Sequence, residues 1–174
     1  MKTLPIAGIV AMAALLGACQ SMAPDGPKAT AALQPTKGST VSGSVSFAQI
    51  GDKVRISARV TGLKPNGEYG FHIHEAGDCS SGDGMSTKGH FNPYAKPHAH
   101  AGTPERHAGD LPSLKSDASG TASVTADLDV ITVAPGPASV VGRGLIVHAA
   151  PDDYKTQPTG NAGARSACAV IQRS

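Results

Sequence analysis

Val41-Ser42-Gly43-Ser44-Val45-Ser46-Phe47 and, after Gly51-Asp52, Val54-Arg55-Ile56-Ser57-Ala58-Arg59-Val60 alternate apolar with small or polar residues. A period of two sends every second side chain to the same face. Both runs therefore read as half-buried strands, with Gly51-Asp52 as the turn between them. Working outward, Lys64-Pro65-Asn66-Gly67 is a turn signal, and Tyr69 to Glu75 follows as a third strand. These three are expected to form an antiparallel meander. Leu111 to Leu114, Thr121 to Asp129, Ile131 to Ala134, Leu145 to His148 and Cys168 to Ile171 read as further short strands. The chain holds 21 Gly and 13 Pro in 174 residues, and no long stretch has a 3.6-residue period. About eight short strands and no helix predict an all-β domain, a β-sandwich or flattened barrel. A formal charge of +2, with no basic stripe interleaved with aromatics, argues against nucleic acid as a partner.

The special side chains are concentrated in one stretch. Six of the seven histidines fall between Phe71 and Asp110, namely His72, His74, His90, His98, His100 and His107. In a strand His72 and His74 project to one face. Two close imidazoles repel when protonated, and a shared metal keeps both neutral. His148 follows Leu145-Ile146-Val147; alone, such a histidine is more often a hydrogen-bonded core residue than a ligand. His90, His98 and His107, with Asp110 three residues beyond the last, offer three imidazoles and a carboxylate, a tetrahedral zinc set. Seven imidazoles exceed one site, so two metals are the economical reading. Imidazole suits copper as well as zinc, and one histidine binding through both ring nitrogens could join them.

The N-terminus reads as a targeting segment. Lys2 precedes an apolar run from Leu4 to Ala18, shorter than the roughly 20 residues that a spanning helix needs. Its end, Leu16-Gly17-Ala18-Cys19, resembles the bacterial lipoprotein cleavage box, in which the thiol is lipidated. That implies a signal peptide over 1–18. Gln20 to Gly38, rich in Ala, Pro, Lys and Thr, reads as a flexible tether, so that 19–38 is lipidated cysteine and tether and 39–174 the folded domain. With Cys19 lipidated, Cys79 and Cys168 remain as one pair, and export favours a disulfide between them. The expected location is the periplasmic face of the cell envelope, with membrane contact only through the lipid on Cys19.

Five motifs together resemble the copper/zinc superoxide dismutases. They are Gly70-Phe71-His72-Ile73-His74-Glu75, Gly89-His90-Phe91-Asn92-Pro93, Glu105-Arg106-His107-Ala108-Gly109-Asp110, Val147-His148, and Gly160-Asn161-Ala162-Gly163-Ala164-Arg165-Ser166-Ala167-Cys168. They fall in family order between Thr40 and Ser174. The resemblance implies a Greek-key β-sandwich, with copper bound by His72, His74, His90 and His148. It implies that His90 bridges to zinc and that His98, His107 and Asp110 complete the zinc set, with His100 as the other candidate in place of His98. Asp152 corresponds to the aspartate that ties a copper histidine to a zinc histidine. Arg165 corresponds to the arginine beside the copper channel, and Cys79 and Cys168 to the family disulfide. The implied reaction is dismutation of superoxide to dioxygen and hydrogen peroxide, by a monomer or homodimer. The loop from His74 to His90 and the segment Pro151 to Gly163 depart from the animal enzymes. A second reading is a copper-storing or metal-delivering envelope lipoprotein on the same fold.

Overall fold

A computed structural model of the protein describes residues 26–174. The signal-peptide reading of 1–18 and the lipidation of Cys19 lie outside the described residues. Among the described residues there are ten strands: β1 (Lys28–Pro35), β2 (Ser42–Ile50), β3 (Lys53–Thr61), β4 (Glu68–Tyr69), β5 (Phe71–His74), β6 (Leu114–Lys115), β7 (Ala122–Leu128), β8 (Gly144–His148), β9 (Arg165–Val170) and β10 (Gln172–Arg173). Helical geometry among the described residues is a single 3-10 turn, Met85–Thr87.

The main sheet has eight strands in the order β5-β8-β9-β1-β2-β3-β7, with β10 also on β1. An isolated bridge between Ser116 and Ala122 links β7 to the β6 segment. β6 pairs with β4, and only Gly70 separates β4 from β5. The sheet thus curls back on itself as an all-β flattened barrel. The steps from β3 to β4 and from β7 to β8 jump across it in Greek-key fashion.

The β2–β3 hairpin forms where the alternation predicts it, in register from Ser42↔Thr61 to Ile50↔Lys53. Its buried face presents Val45, Phe47, Val54, Ile56, Ala58 and Val60 to the core. Gly51 takes φ +59, a left-handed turn conformation that its missing Cβ permits.

Three expectations change. The tether does not extend to Gly38, because Lys28–Pro35 is a strand that pairs with β2, β9 and β10. Its alternation is carried by Ala29, Ala31 and Leu33, all buried. Alanine is a weak strand former, so local composition suggests a linker; packing against the sheet decides otherwise.

The meander does not continue into Tyr69–Glu75. β7 takes the free edge of β3, and β5 pairs with β8. All four β5 residues are buried, so this strand needs cover on both faces. Ile131–Ala134 is not a strand but keeps one bridge, Thr132 to Ser139. Gln49 Oε1 accepts from Val133 N–H at 3.0 Å and from Thr132 Oγ1 at 2.8 Å, so a side chain replaces a ladder there.

Candidate metal centre

β5 splits its side chains between two environments. Phe71 and Ile73 enter the apolar core, while His72 and His74 face the other way, both fully buried. Two loop segments dock on this strand through the main chain. Phe91 N–H donates to Ile73 C=O at 2.8 Å, and Ile73 N–H to Gly109 C=O at 2.9 Å. They set His90 beside His74 and Asp110 beside His72 as isolated antiparallel bridges. A Cβ at Gly109 would collide with Ile73 C=O, so this close docking requires glycine. His148 arrives at the end of β8, where a register shift between Val147 and His148 re-aims the chain. Gly70 opens the space for it; a Cβ there would lie 2.7 Å from Ala162 Cβ and 3.1 Å from His72 Cε1.

Two groups of four result, sharing His90: His72, His74, His90 and His148, and His90, His98, His107 and Asp110. Within each, the candidate ligand atoms lie within 4.8 Å of one another, and every residue is buried.

The first nest is defined by what its nitrogens lack. His72 Nδ1, His74 Nε2, His90 Nε2 and His148 Nε2 are buried and have no hydrogen-bond partner. The opposite nitrogen of each ring is held. His72 Nε2 lies 2.7 Å from Asp152 Oδ2, and His74 Nδ1 2.9 Å from Lys88 C=O. His90 Nδ1 lies 3.0 Å from Asp110 Oδ1, and His148 Nδ1 3.2 Å from Gly163 C=O. Buried polar atoms are rarely left unpaired, and four from four rings in one place require a common partner. Only a cation accepts four lone pairs at once, and neutral imidazoles in this number suit copper. Burial depresses His74 to about 2, His90 to about 4 and His148 to about 3. All three are therefore neutral at pH 7, the state that binds a metal.

In the second nest Asp110 Oδ1 is the focus. His90 Nδ1 and His98 Nδ1 each lie 3.0 Å from it, and His107 Nδ1 3.4 Å. Oδ2 accepts main-chain N–H bonds from His107 and Ala99, which orient the carboxylate. Its pKa is held far below the carboxylate range: burial works against ionisation, but the hydrogen bonds from His107, His90 and His98 outweigh it. Three imidazoles and an ionised carboxylate, closed from solvent, fit zinc.

Asp152 ties the nests together, with Oδ2 on His72 and Oδ1 2.9 Å from His98 Nε2. Beside the first nest stands Arg165. Its Nη1 donates to Gly84 C=O and Thr87 Oγ1, and its Nη2 to Lys88 C=O at 2.6 Å. One carbonyl, that of Lys88, thus orients both His74 and Arg165. The guanidinium is near enough to help depress His74 and His148. The Cys79–Cys168 disulfide pins the loop that carries Gly84, Thr87 and Lys88 to β9, which carries Arg165.

The structure places His98 in the second nest and His100 outside it. His100 is exposed, with its ring edge-on to Tyr154 at 4.8 Å. The sequence reading missed the residues that hold the site in place: Lys88 and Gly163, whose carbonyls meet His74 and His148, Thr87, which accepts from Arg165, and Gln157, which grips the main chain of His98. Carbonyls carry no sequence signal, and Gln157 sits in a polar loop where nothing marks it.

The copper/zinc superoxide dismutase family matches residues 41–171. A Cu-Zn superoxide dismutase of Aquifex aeolicus is 40% identical over 149 residues, covering 83% of this chain and 86% of that protein. One from Candida glabrata is 43% identical over 152 residues, covering 83% and 96%. Among solved structures, one described as the clock protein EA4 superposes with a TM-score of 0.76 at 41% identity, over 83% of this chain and 93% of that one. With the family matching three quarters of its length and these relatives near 40% identity, the chain belongs to the copper/zinc superoxide dismutase family.

Proposed function

We propose that His72, His74, His90 and His148 hold copper, that His90, His98, His107 and Asp110 hold zinc, and that Arg165 receives the substrate. The activity is dismutation of superoxide: two superoxide ions and two protons give one dioxygen and one hydrogen peroxide. The observation that carries the assignment is the set of four buried, partnerless ring nitrogens that face one another. Copper held by His72, His74, His90 and His148 would supply a one-electron couple, and zinc held by His90, His98, His107 and Asp110 a fixed positive charge.

The chain's own residues do the rest. Arg165 offers a permanent positive charge at the rim of the nest, held by three acceptors so that little freedom is lost when an anion arrives. His90 is the one imidazole with a nitrogen in each nest. Its Nδ1 side stays fixed by Asp110, so Nε2 can take and return a proton without the ring moving away. Asp152 holds His72 and His98 in a fixed mutual orientation.

The test compares wild type with His148→Ala for superoxide decay and for copper and zinc content. The expected result is decay at background level, copper lost and zinc retained. Equal decay rates in the two proteins would refute the assignment.

For location, we infer an exported protein, lipid-anchored at Cys19 on the periplasmic side of the envelope. Two features support this: the Leu16-Gly17-Ala18-Cys19 box, and a Cys79–Cys168 pair that leaves Cys19 as the odd thiol. Mass spectrometry of the mature protein should find a diacylglyceryl-modified Cys19 as the first residue, and Cys19→Ser should leave the membrane fraction. A mature chain that begins elsewhere, without lipid, sinks this reading.

A further inference from the structure

The segment that delivers His98 has no sheet to hold it. Between Asn92 and Thr103 the chain makes turns, with Ala95 N–H on Asn92 C=O and Thr103 N–H on His100 C=O. The main-chain groups of His98 itself go to one side chain. Gln157 Oε1 accepts from His98 N–H at 2.8 Å, and Gln157 Nε2 donates to His98 C=O at 2.9 Å. A primary amide used in this way reproduces the exchanged pair of bonds that a neighbouring strand would provide. Gln157 lies in the 151–163 loop, which holds the same residue once more and approaches it closely at Gly160. Asp152 Oδ1 meets His98 Nε2 at 2.9 Å. At Gly160 a Cβ would run into the Asp152 carboxylate and lie 2.5 Å from His98 Nε2. His100, two residues on, has no such grip; its Nδ1 accepts only from Gly102 N–H at 3.0 Å, and its ring rests on Tyr154.

We propose that Gln157 is a positioning residue for the second metal: by clamping the main chain of His98, it presents that imidazole rather than His100 to the nest and sets the affinity for zinc without touching the ion. The inference rests on the zinc reading of the second nest. Groups that orient a metal ligand from outside are worth about 10–100-fold in affinity. Gln157 is exposed, so its truncation leaves the core intact. The first nest takes none of its residues from the 92–103 segment and meets the clamped His98 through Asp152, so copper binding should respond far less than zinc binding.

The experiment uses metal-free wild type, Gln157→Ala, His98→Ala and His100→Ala. Zinc affinity is read by chelator competition, the geometry of the second nest by the visible spectrum of bound Co(II), and copper affinity in parallel. Gln157→Ala should bind zinc about 10-fold or more weakly and alter the cobalt spectrum, with copper affinity within about twofold of wild type. His100→Ala should match wild type in all three. If His98→Ala binds zinc as wild type does, the zinc reading fails and takes the proposal with it. If His98→Ala loses zinc but Gln157→Ala keeps it within about twofold, the clamp alone is overturned. Equal losses of zinc and copper in Gln157→Ala, with a lower Tm, mark general loop damage and also overturn it.

Discussion

Arg165 illustrates how a residue acquires a role from its supports. Its charge would be ordinary on a free surface. Here Gly84 C=O, Thr87 Oγ1 and Lys88 C=O fix the guanidinium beside His74 and His148, which burial keeps neutral at pH 7. Arg165→Ala should therefore keep both metals yet lower kcat/KM for superoxide by about 10-fold or more, since a focused positive field raises anion on-rates by 10–10³. Stopped-flow decay at two ionic strengths checks this. The wild-type rate should fall steeply with salt, and that of the variant should not. The residues that gather in the two nests were legible in the sequence because imidazole and carboxylate carry their chemistry in the side chain. What chooses His98 over His100 was not legible, because an amide of an exposed loop residue makes that choice.

Among the elements, β1 is the one that local pattern hides. Ala29, Ala31 and Leu33 alternate inward, but small residues flanked by Pro27 and Pro35 look like linker. What makes it a strand is tertiary: three partner strands and a fully covered Leu33. Leu33→Ala should then cost about 2–5 kcal/mol, the range for emptying a core leucine site, whereas a tether residue would cost nothing. Denaturant unfolding of the metal-free domain distinguishes the two. β9 depends on a covalent link as well. The disulfide spans 89 positions from Cys79 to Cys168. Cys168→Ser should lower stability by roughly 4–5 kcal/mol on the chain-entropy account. It should also loosen the loop that holds Arg165, so superoxide turnover should fall at temperatures where wild type still works.

The molecule as a whole is a barrel closed around apolar residues, with its reactive cluster built on one face by β5, the end of β8 and the loops docked against them. The β2–β3 hairpin was legible because alternation and a Gly-Asp turn agree locally. The placement of β5 against β8 was not, since pairing across the sheet depends on what each strand must bury on both faces. Interring histidines also makes the metal-free fold sensitive to pH. His74, His90 and His148 are depressed from 6.5 by burial, to about 2, 4 and 3. Unfolded, each takes a proton near 6.5, so their contribution is intact above that pH and erodes as pH falls below it. His98 behaves oppositely. Burial opposes its charge, but hydrogen bonds to Asp110 and Asp152 raise it to about 9, so its contribution is full below 6.5 and is lost as pH rises through 9. Stability of the metal-free protein should thus be greatest near neutrality and decline in both directions, measured by denaturant midpoints across that range. A flat profile below 6.5 would contradict neutral, buried imidazoles.

β1 also has a direction. It begins beside Ala48 and Arg173 and ends where Thr36 Oγ1 donates to Arg165 C=O. Seven residue steps at about 3.3 Å separate its two ends. Anything spliced or chemically coupled ahead of residue 26 is therefore joined at the pole remote from Arg165. A bead or electrode linked there should leave turnover almost unchanged, whereas the same support joined at Lys37 or Lys88, on the opposite pole, should throttle it.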